Sequence, residues 1–425
     1  MQLVCSKSRL KGTVSIPASK SHTIRAVAIA SLADGASLIH NPLSSGDTEA
    51  AVRCYRALGA EIDTTDGSCW KVQGTGGRIV APRQTIDVGN SGTTLRIAMG
   101  SAALAEPDQA TTFTGDEQIR SRPVGPLLDA LESLGAQCRS LENNGKAPLR
   151  IAGKLTGGRV SVECKTSQYL SSLLLCTPLA ARDTEIDVTL LNEPGYVQMT
   201  LDWLDKQGIA YENDHMQRFR VKGGQNYQPF DLPVPADFSS ATFFLCGAAL
   251  FGEEVTLEGL DFADSQPDKA VVDYLREMGA DIAAGAHSIT IKAAPLKGAT
   301  LDLNQTPDAL PAMAVTAAFA EGTTRLVNVA QARMKETDRI ACMAEELKKM
   351  GASVEEQPDG LIIRGSALRA ARLDGRSDHR IVMALSLAAL GLDEASIIDT
   401  AEAMGVTFPG YVDLMNRLGA NIELR

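Results

Sequence analysis

The sequence predicts a mixed α/β protein of two domains, built from six copies of one supersecondary unit. Three observations predict it. A polar helix head followed by an apolar run occurs six times. A glycine that closes a charged amphipathic stretch occurs six times in step with it. Both markers return about every seventy residues. A single core rarely serves 425 residues, and two domains of about 200 residues, three units apiece, satisfy the length.

The first head is Ser19-Lys20-Ser21-His22-Thr23-Ile24-Arg25, which runs directly into apolar residues 26–33. N–H groups in a first helical turn lack intrahelical partners and sum with the macrodipole into a partial positive charge. Lys20 and Arg25 would reinforce it, so this head is built to face an anion. The pattern returns at Ser91 (Ser-Gly-Thr-Thr-Leu-Arg), Thr166 (Thr-Ser-Gln-Tyr-Leu), Asp237 (Asp-Phe-Ser-Ser-Ala-Thr), Thr306 (Thr-Pro-Asp-Ala) and Ser377 (Ser-Asp-His-Arg). The second marker is Leu58-Gly59-Ala60, Leu134-Gly135-Ala136, Gln207-Gly208-Ile209, Met278-Gly279-Ala280, Met350-Gly351-Ala352 and Leu418-Gly419-Ala420. Each reads as a glycine-capped surface helix turning into a strand.

In chain order, residues 14–16 form a strand that Pro17 ends before the first head. Gly35 caps the first buried helix, residues 47–58 make a surface helix, and the chain returns to strand at Ile62. The second unit opens at Val88-Gly89-Asn90-Ser91-Gly92-Thr93-Thr94, where two glycines admit close backbone approach to a ligand. It carries a side loop at 114–123 ahead of a helix at 126–134, and the third unit runs from about Lys165 to Tyr211. Between 213 and 235 the pattern gives way to Gly223-Gly224-Gln225-Asn226 and Pro229, Pro233 and Pro235, the best linker candidate. Units four to six fill residues 236–425.

The composition is globular: 44% hydrophobic, 22% charged and only 4% aromatic. A net charge of −11 gives no general attraction to nucleic acid or an anionic membrane, and so few aromatics leave no stacking platform. Cations serving an anionic ligand must therefore act locally, since charges beyond about 10 Å are largely screened. Eight scattered cysteines without a Cys-x-x-Cys pair, and no clustered histidines, predict reduced thiols in cytoplasm and no metal site. The opening Met1-Gln2-Leu3-Val4-Cys5 reads as strand rather than signal peptide, and no apolar run reaches the roughly 20 residues of a membrane span.

Singly, each head has a plain reading. Ser19 is a common N-cap, residues 89–94 a turn, Asp308 another cap, residues 335–339 a solvated helix start, and Asp378-His379-Arg380 a surface loop. Six recurrences in register favour the ligand-facing reading.

At Pro17-Ala18-Ser19-Lys20-Ser21, Gly89-Asn90-Ser91-Gly92-Thr93, Arg122-Pro123, Ser167-Gln168, Lys335-Glu336-Thr337-Asp338-Arg339 and Asp378-His379-Arg380, in order over its whole length, the chain resembles the 5-enolpyruvylshikimate-3-phosphate synthases. The resemblance implies a two-domain inverse αβ-barrel-like fold of six βαβαββ repeats, three per domain. It implies domains at 18–234 and at 1–17 plus 235–425, hinged at two crossing segments, a division that pattern alone does not yield. The implied reaction moves the enolpyruvyl group of phosphoenolpyruvate to the 5-hydroxyl of shikimate 3-phosphate, releasing phosphate through a tetrahedral intermediate, on the shikimate route to chorismate and the aromatic amino acids. No cofactor or metal is implied, and the expected protein is a cytoplasmic monomer.

By the same resemblance, Lys20, Gly92, Arg122, Gln168, Arg339 and Arg380 hold phosphoenolpyruvate. Lys20, Ser21, Arg25, Thr166, Ser167, Gln168, Asp308, Gln331 and Lys335 hold shikimate 3-phosphate. Addition needs a proton delivered to the methylene carbon and one removed from the attacking hydroxyl. Asp308 is the candidate for the hydroxyl, and Glu336 or Lys20 for the methylene. The chain departs from the family pattern at Val406, where a lysine is usual, and at Asn192 or Glu193, near a usual phosphate-binding serine. Thr166 replaces a serine, Gln331 an asparagine, and Arg122 leads into Pro-Val-Gly-Pro. Val406 predicts weakened inhibition by glyphosate. The rival acceptors are another cyclic hydroxy acid and UDP-N-acetylglucosamine; the missing cysteine in residues 114–123 disfavours the latter. A non-catalytic anion-binding relative is the rival from another class, disfavoured by the retained Lys20, Arg122, Asp308, Glu336, Arg339 and Arg380. The two domains are expected to close on the acceptor.

Overall fold

The six apolar runs are helices: Lys20–Leu32, Gly92–Ala102, Ser167–Cys176, Phe238–Phe251, Leu310–Phe319 and His379–Ala389. They are apolar on every side, so only a core position suits them. Nearly every residue of Lys20–Leu32 and Phe238–Phe251 is buried. The second marker is equally regular. Gly59, Gly135, Gly208, Gly279, Gly351 and Gly419 all have positive φ, from 65° to 110°, one residue past the cap of a surface helix. That conformation lets the chain reverse from helix into strand at no Cβ cost.

This computed structural model describes residues 1–425 and divides into two units, Ala18–Val234, and Met1–Pro17 with Pro235–Arg425. Each unit has its own hydrophobic core and three four-stranded sheets. The third repeat gives the pattern. Strand Gly158–Cys164 precedes the helix Ser167–Cys176 and pairs in parallel with Thr184–Leu191, which follows it. Strand Arg218–Val221 then adds antiparallel to Thr184–Leu191, and Tyr211–Asp214 closes the outer edge.

Two repeats exchange their first strands. Leu10–Ser15 precedes the Lys20–Leu32 helix yet pairs in parallel with Gly252–Glu258 of the fourth repeat. Asp231–Pro233 precedes the Phe238–Phe251 helix yet pairs in parallel with Ala36–His40 of the first. Gln2–Ser6 also joins the sixth repeat, between Ser396–Asp399 and Asn421–Leu424. The chain start thus completes two sheets of its unit.

Three local expectations change. The linker candidate at 213–235 holds the end of the strand Tyr211–Asp214 and the strands Arg218–Val221 and Asp231–Pro233, with irregular chain between them, and the boundary between the units falls at its end, after Val234; Pro233 is tolerated in its strand because that strand lies at a sheet edge. Gly35 does not cap the first helix, which ends on Ala33, but leads into the strand Ala36–His40. The side loop at 114–123 contains a short helix, Glu117–Ser121, whose cap Asp116 accepts from the Ile119 N–H at 2.9 Å. No helix is long and apolar enough to cross a membrane.

Candidate active site

Eight of the expected ligand-binding residues belong to the unit Ala18–Val234: seven at the cap or in the first turn or two of its three core helices, and Arg122 just past the short helix Glu117–Ser121. Ser19 caps the first, so Lys20 and Ser21 lie in its opening turn. The Lys20 Nζ is 3.2 Å from the Asp47 carboxylate, which the first turn of Gly46–Ala57 supplies. Arg25, one turn on, is buried and donates to Thr200 Oγ1 (2.9 Å), Ser171 Oγ (3.3 Å) and the carbonyls of Ser21 (3.0 Å) and Tyr196 (2.9 Å). Burial lowers it to about 10, so it stays cationic at neutral pH.

The second head depends on a missing side chain. A Cβ at Gly92 would stand 2.5 Å from a terminal nitrogen of Arg96 and 2.8 Å from one of Arg122. Glycine alone therefore lets two guanidinium groups crowd this helix start. Arg96 donates to the Gly92 carbonyl and to Gln168 Oε1, both at 3.1 Å, while Gln168 Nε2 donates to Thr93 Oγ1 at 3.1 Å. Gln168 thereby ties the second head to the third. Arg122 reaches Asn90 Oδ1 at 3.4 Å.

At the third head, Thr166 caps the helix Ser167–Cys176. Of the two residues at the family departure, Asn192 turns to the Lys165 carbonyl (3.2 Å), and Glu193 reaches the head itself. Its Oε2 accepts from Ser167 Oγ at 2.7 Å, Ser167 N–H at 3.2 Å and Thr166 Oγ1 at 3.3 Å.

The remaining expected residues belong to the other unit, where five of the six meet in one charged cluster. Arg339, 1% exposed, donates from Nε and a terminal nitrogen to both Asp378 oxygens, at 2.8 and 3.1 Å. It also reaches Asp308 at 2.7 Å and Glu336. Asp308 is in turn 3.2 Å from Arg380 and 3.8 Å from Lys335. Three cations, Lys335, Arg339 and Arg380, thus face three carboxylates, Asp308, Glu336 and Asp378. Arg380 also donates to Ser239 Oγ at 2.8 Å and lies over the Phe243 ring. Gln331 stands aside, with its amide on the Asn304 carbonyl at 2.9 Å.

Burial pushes the Asp308 carboxyl up, but Arg380, Lys335 and Arg339 outweigh it and hold the group well below the usual carboxylate range. Burial likewise opposes the charge on Arg339, and Asp378, Glu336 and Asp308 more than restore it. Asp308 is therefore ionised at neutral pH yet weakly basic while these cations rest on it. Anions that drew the cations away would raise its basicity.

The sequence reading omitted Arg96, Asp47 and Asp378 from the site. Arg96 stood in the quoted head and is one turn from Gly92, so its spacing was available. Asp47 and Asp378 serve partners that only the fold brings near.

The family model for EPSP synthase (3-phosphoshikimate 1-carboxyvinyltransferase) matches residues 4–415. The chain is 53% identical over 423 residues to the 3-phosphoshikimate 1-carboxyvinyltransferase of Acetivibrio thermocellus, covering 100% of this chain and 99% of that one. To the enzyme of the same name from Ruminiclostridium cellulolyticum it is 51% identical, covering all of both chains. Among solved structures it is similar to EPSP synthase from Acinetobacter baumannii, with a TM-score of 0.84, 27% identity and complete coverage of both chains.

Proposed function

The chain belongs to the EPSP synthase family, and on that premise we propose which of its residues do the work of the reaction. The reaction is enolpyruvyl transfer from phosphoenolpyruvate to the 5-hydroxyl of shikimate 3-phosphate, with release of phosphate. Both substrates carry a phosphate and a carboxylate, so charged forks and helix starts are the appropriate receptors.

In our reading, Gly92, Arg122 and Gln168 offer phosphoenolpyruvate a cationic helix start, and Arg339 and Arg380 bind its anionic groups. Ser21, Arg25, Thr166, Ser167 and Gln168, with Gln331 and Lys335, orient shikimate 3-phosphate. Lys20 serves both. Arg25 contributes mainly by fixing Ser21 and Tyr196, because most of its donors are already spent on protein groups. The observation that carries the reading is the single cluster joining Asp308 to Arg339, Arg380 and Lys335. When substrate anions take up those cations, Asp308 is released as the base for the attacking hydroxyl. Glu336 or Lys20 delivers the proton to the methylene carbon, and the tetrahedral adduct then loses phosphate as the same group takes a proton back from the new methyl carbon, which restores the double bond in the product. The two units act as domains that close on the acceptor, and the enzyme works as a cytoplasmic monomer.

Substrate partition tests this division. Replacing Arg122 or Arg380 by lysine removes a bidentate fork and should raise KM for phosphoenolpyruvate about tenfold, leaving that for shikimate 3-phosphate within about threefold. Equal rises for both substrates would contradict it.

A further inference from the structure

Glu193 is the cap residue of the helix Pro194–Lys206, yet its side chain makes no cap hydrogen bond there. It is 1% exposed, its backbone is left-handed at φ 60°, and its carboxylate is turned into the head of a different helix. One oxygen, Oε2, gathers the Ser167 N–H, the Ser167 hydroxyl and the Thr166 hydroxyl, all within 3.3 Å. A helix-start N–H flanked by two hydroxyls is a receptor for an oxyanion. The protein fills that receptor with its own.

We propose that Glu193 is a resident anion and a specificity-determining residue: it occupies the position of the acceptor's phosphate in the empty enzyme and must withdraw for shikimate 3-phosphate to bind. The inference rests on the assignment of Thr166 and Ser167 to that phosphate. A phosphate dianion and a carboxylate cannot share the same three donors, because like charges at contact distance repel strongly. Acceptor binding is therefore a displacement. Part of the attraction between the phosphate and the helix head is spent on moving Glu193, and the head stays organised while empty.

Removing the charge should tighten the phosphorylated acceptor selectively. The experiment measures dissociation constants by calorimetry for shikimate 3-phosphate and for shikimate, which lacks the phosphate. It compares the full chain, Glu193→Gln, Glu193→Ser and Ser167→Ala. Glutamine keeps an acceptor oxygen for the Ser167 and Thr166 donors, so that variant retains the local fold, which a thermal melt verifies. Both Glu193 variants should bind shikimate 3-phosphate about tenfold or more tighter, with shikimate unchanged. Unchanged or weaker binding of shikimate 3-phosphate in both variants would overturn the proposal and leave Glu193 as a structural tie. Ser167→Ala separates the layers: it should weaken shikimate 3-phosphate alone. If it does not, the phosphate is received elsewhere, and the site assignment falls together with the displacement.

Discussion

Asp308 is the proposed base for the attacking hydroxyl, and on that reading its charge state links activity to stability. Its folded value is depressed below the unfolded one, so its stabilising contribution is present above the unfolded value, about 3.9, and fades as pH falls through the folded one. The urea midpoint of the protein should therefore drop on acidification below about pH 4, and that of Asp308→Asn should drop less over the same window. The same variant should lose about 10²- to 10⁴-fold in kcat. Wild-type turnover in Asp308→Asn would remove it from the mechanism. Gly92 makes a separate prediction, because its missing Cβ is what lets Arg96 and Arg122 approach. Gly92→Ala displaces two flexible guanidinium ends, so stability should hold while KM for phosphoenolpyruvate rises about tenfold, as judged by steady-state kinetics. At this scale the sequence was legible wherever a residue announces itself within a helix head, as Lys20 and Ser167-Gln168 do. It was silent wherever a role is conferred by a distant partner. Asp378 matters through Arg339, 39 positions away, and nothing in Ser377-Asp378-His379 discloses that.

At the scale of elements, helix heads position the site, and loops must deliver them accurately. The turn at 375–377 leads into the helix His379–Ala389 with Arg376 and Ser377 both at positive φ. Glu346, fully buried on the helix Arg339–Lys349, holds it. Its carboxylate accepts from the Asp374 N–H at 3.0 Å, from Arg376 at 2.8 Å and from Lys349 at 2.7 Å. Glu346→Gln should cost about 1–3 kcal/mol in chemical denaturation and, by loosening the approach to Asp378 and Arg380, raise KM for phosphoenolpyruvate. A stability loss with unchanged KM would confine Glu346 to the scaffold. The short helix Met404–Thr407 carries Val406, where the resemblance to the family leads one to expect a lysine. Glyphosate inhibition should therefore be weak, and Val406→Lys should lower the half-inhibitory concentration; no change would sever Val406 from the inhibitor. The repeated heads and glycine caps were readable because each is a local rule of capping and φ. The ordered strands in 213–235 were hidden because Asp231–Pro233 is three residues long, contains a proline and earns its place only by pairing with Ala36–His40.

For the molecule as a whole, the exchange of first strands between two repeats is the feature that local pattern could not disclose. Leu10–Ser15 and Asp231–Pro233 each resemble the start of the helix unit that follows them, and each pairs elsewhere. The resemblance to a known family supplied the crossing, and register then accounts for it. If the proposed domain closure holds, the protein should compact when the acceptor binds. Small-angle scattering should record a smaller radius of gyration with shikimate 3-phosphate present, and no change would count against closure. The most direct measurement is phosphate release from phosphoenolpyruvate by the purified chain, with shikimate 3-phosphate, with UDP-N-acetylglucosamine and with no acceptor. The account predicts turnover with shikimate 3-phosphate alone. Silence with that acceptor, or turnover with the nucleotide sugar, would contradict it.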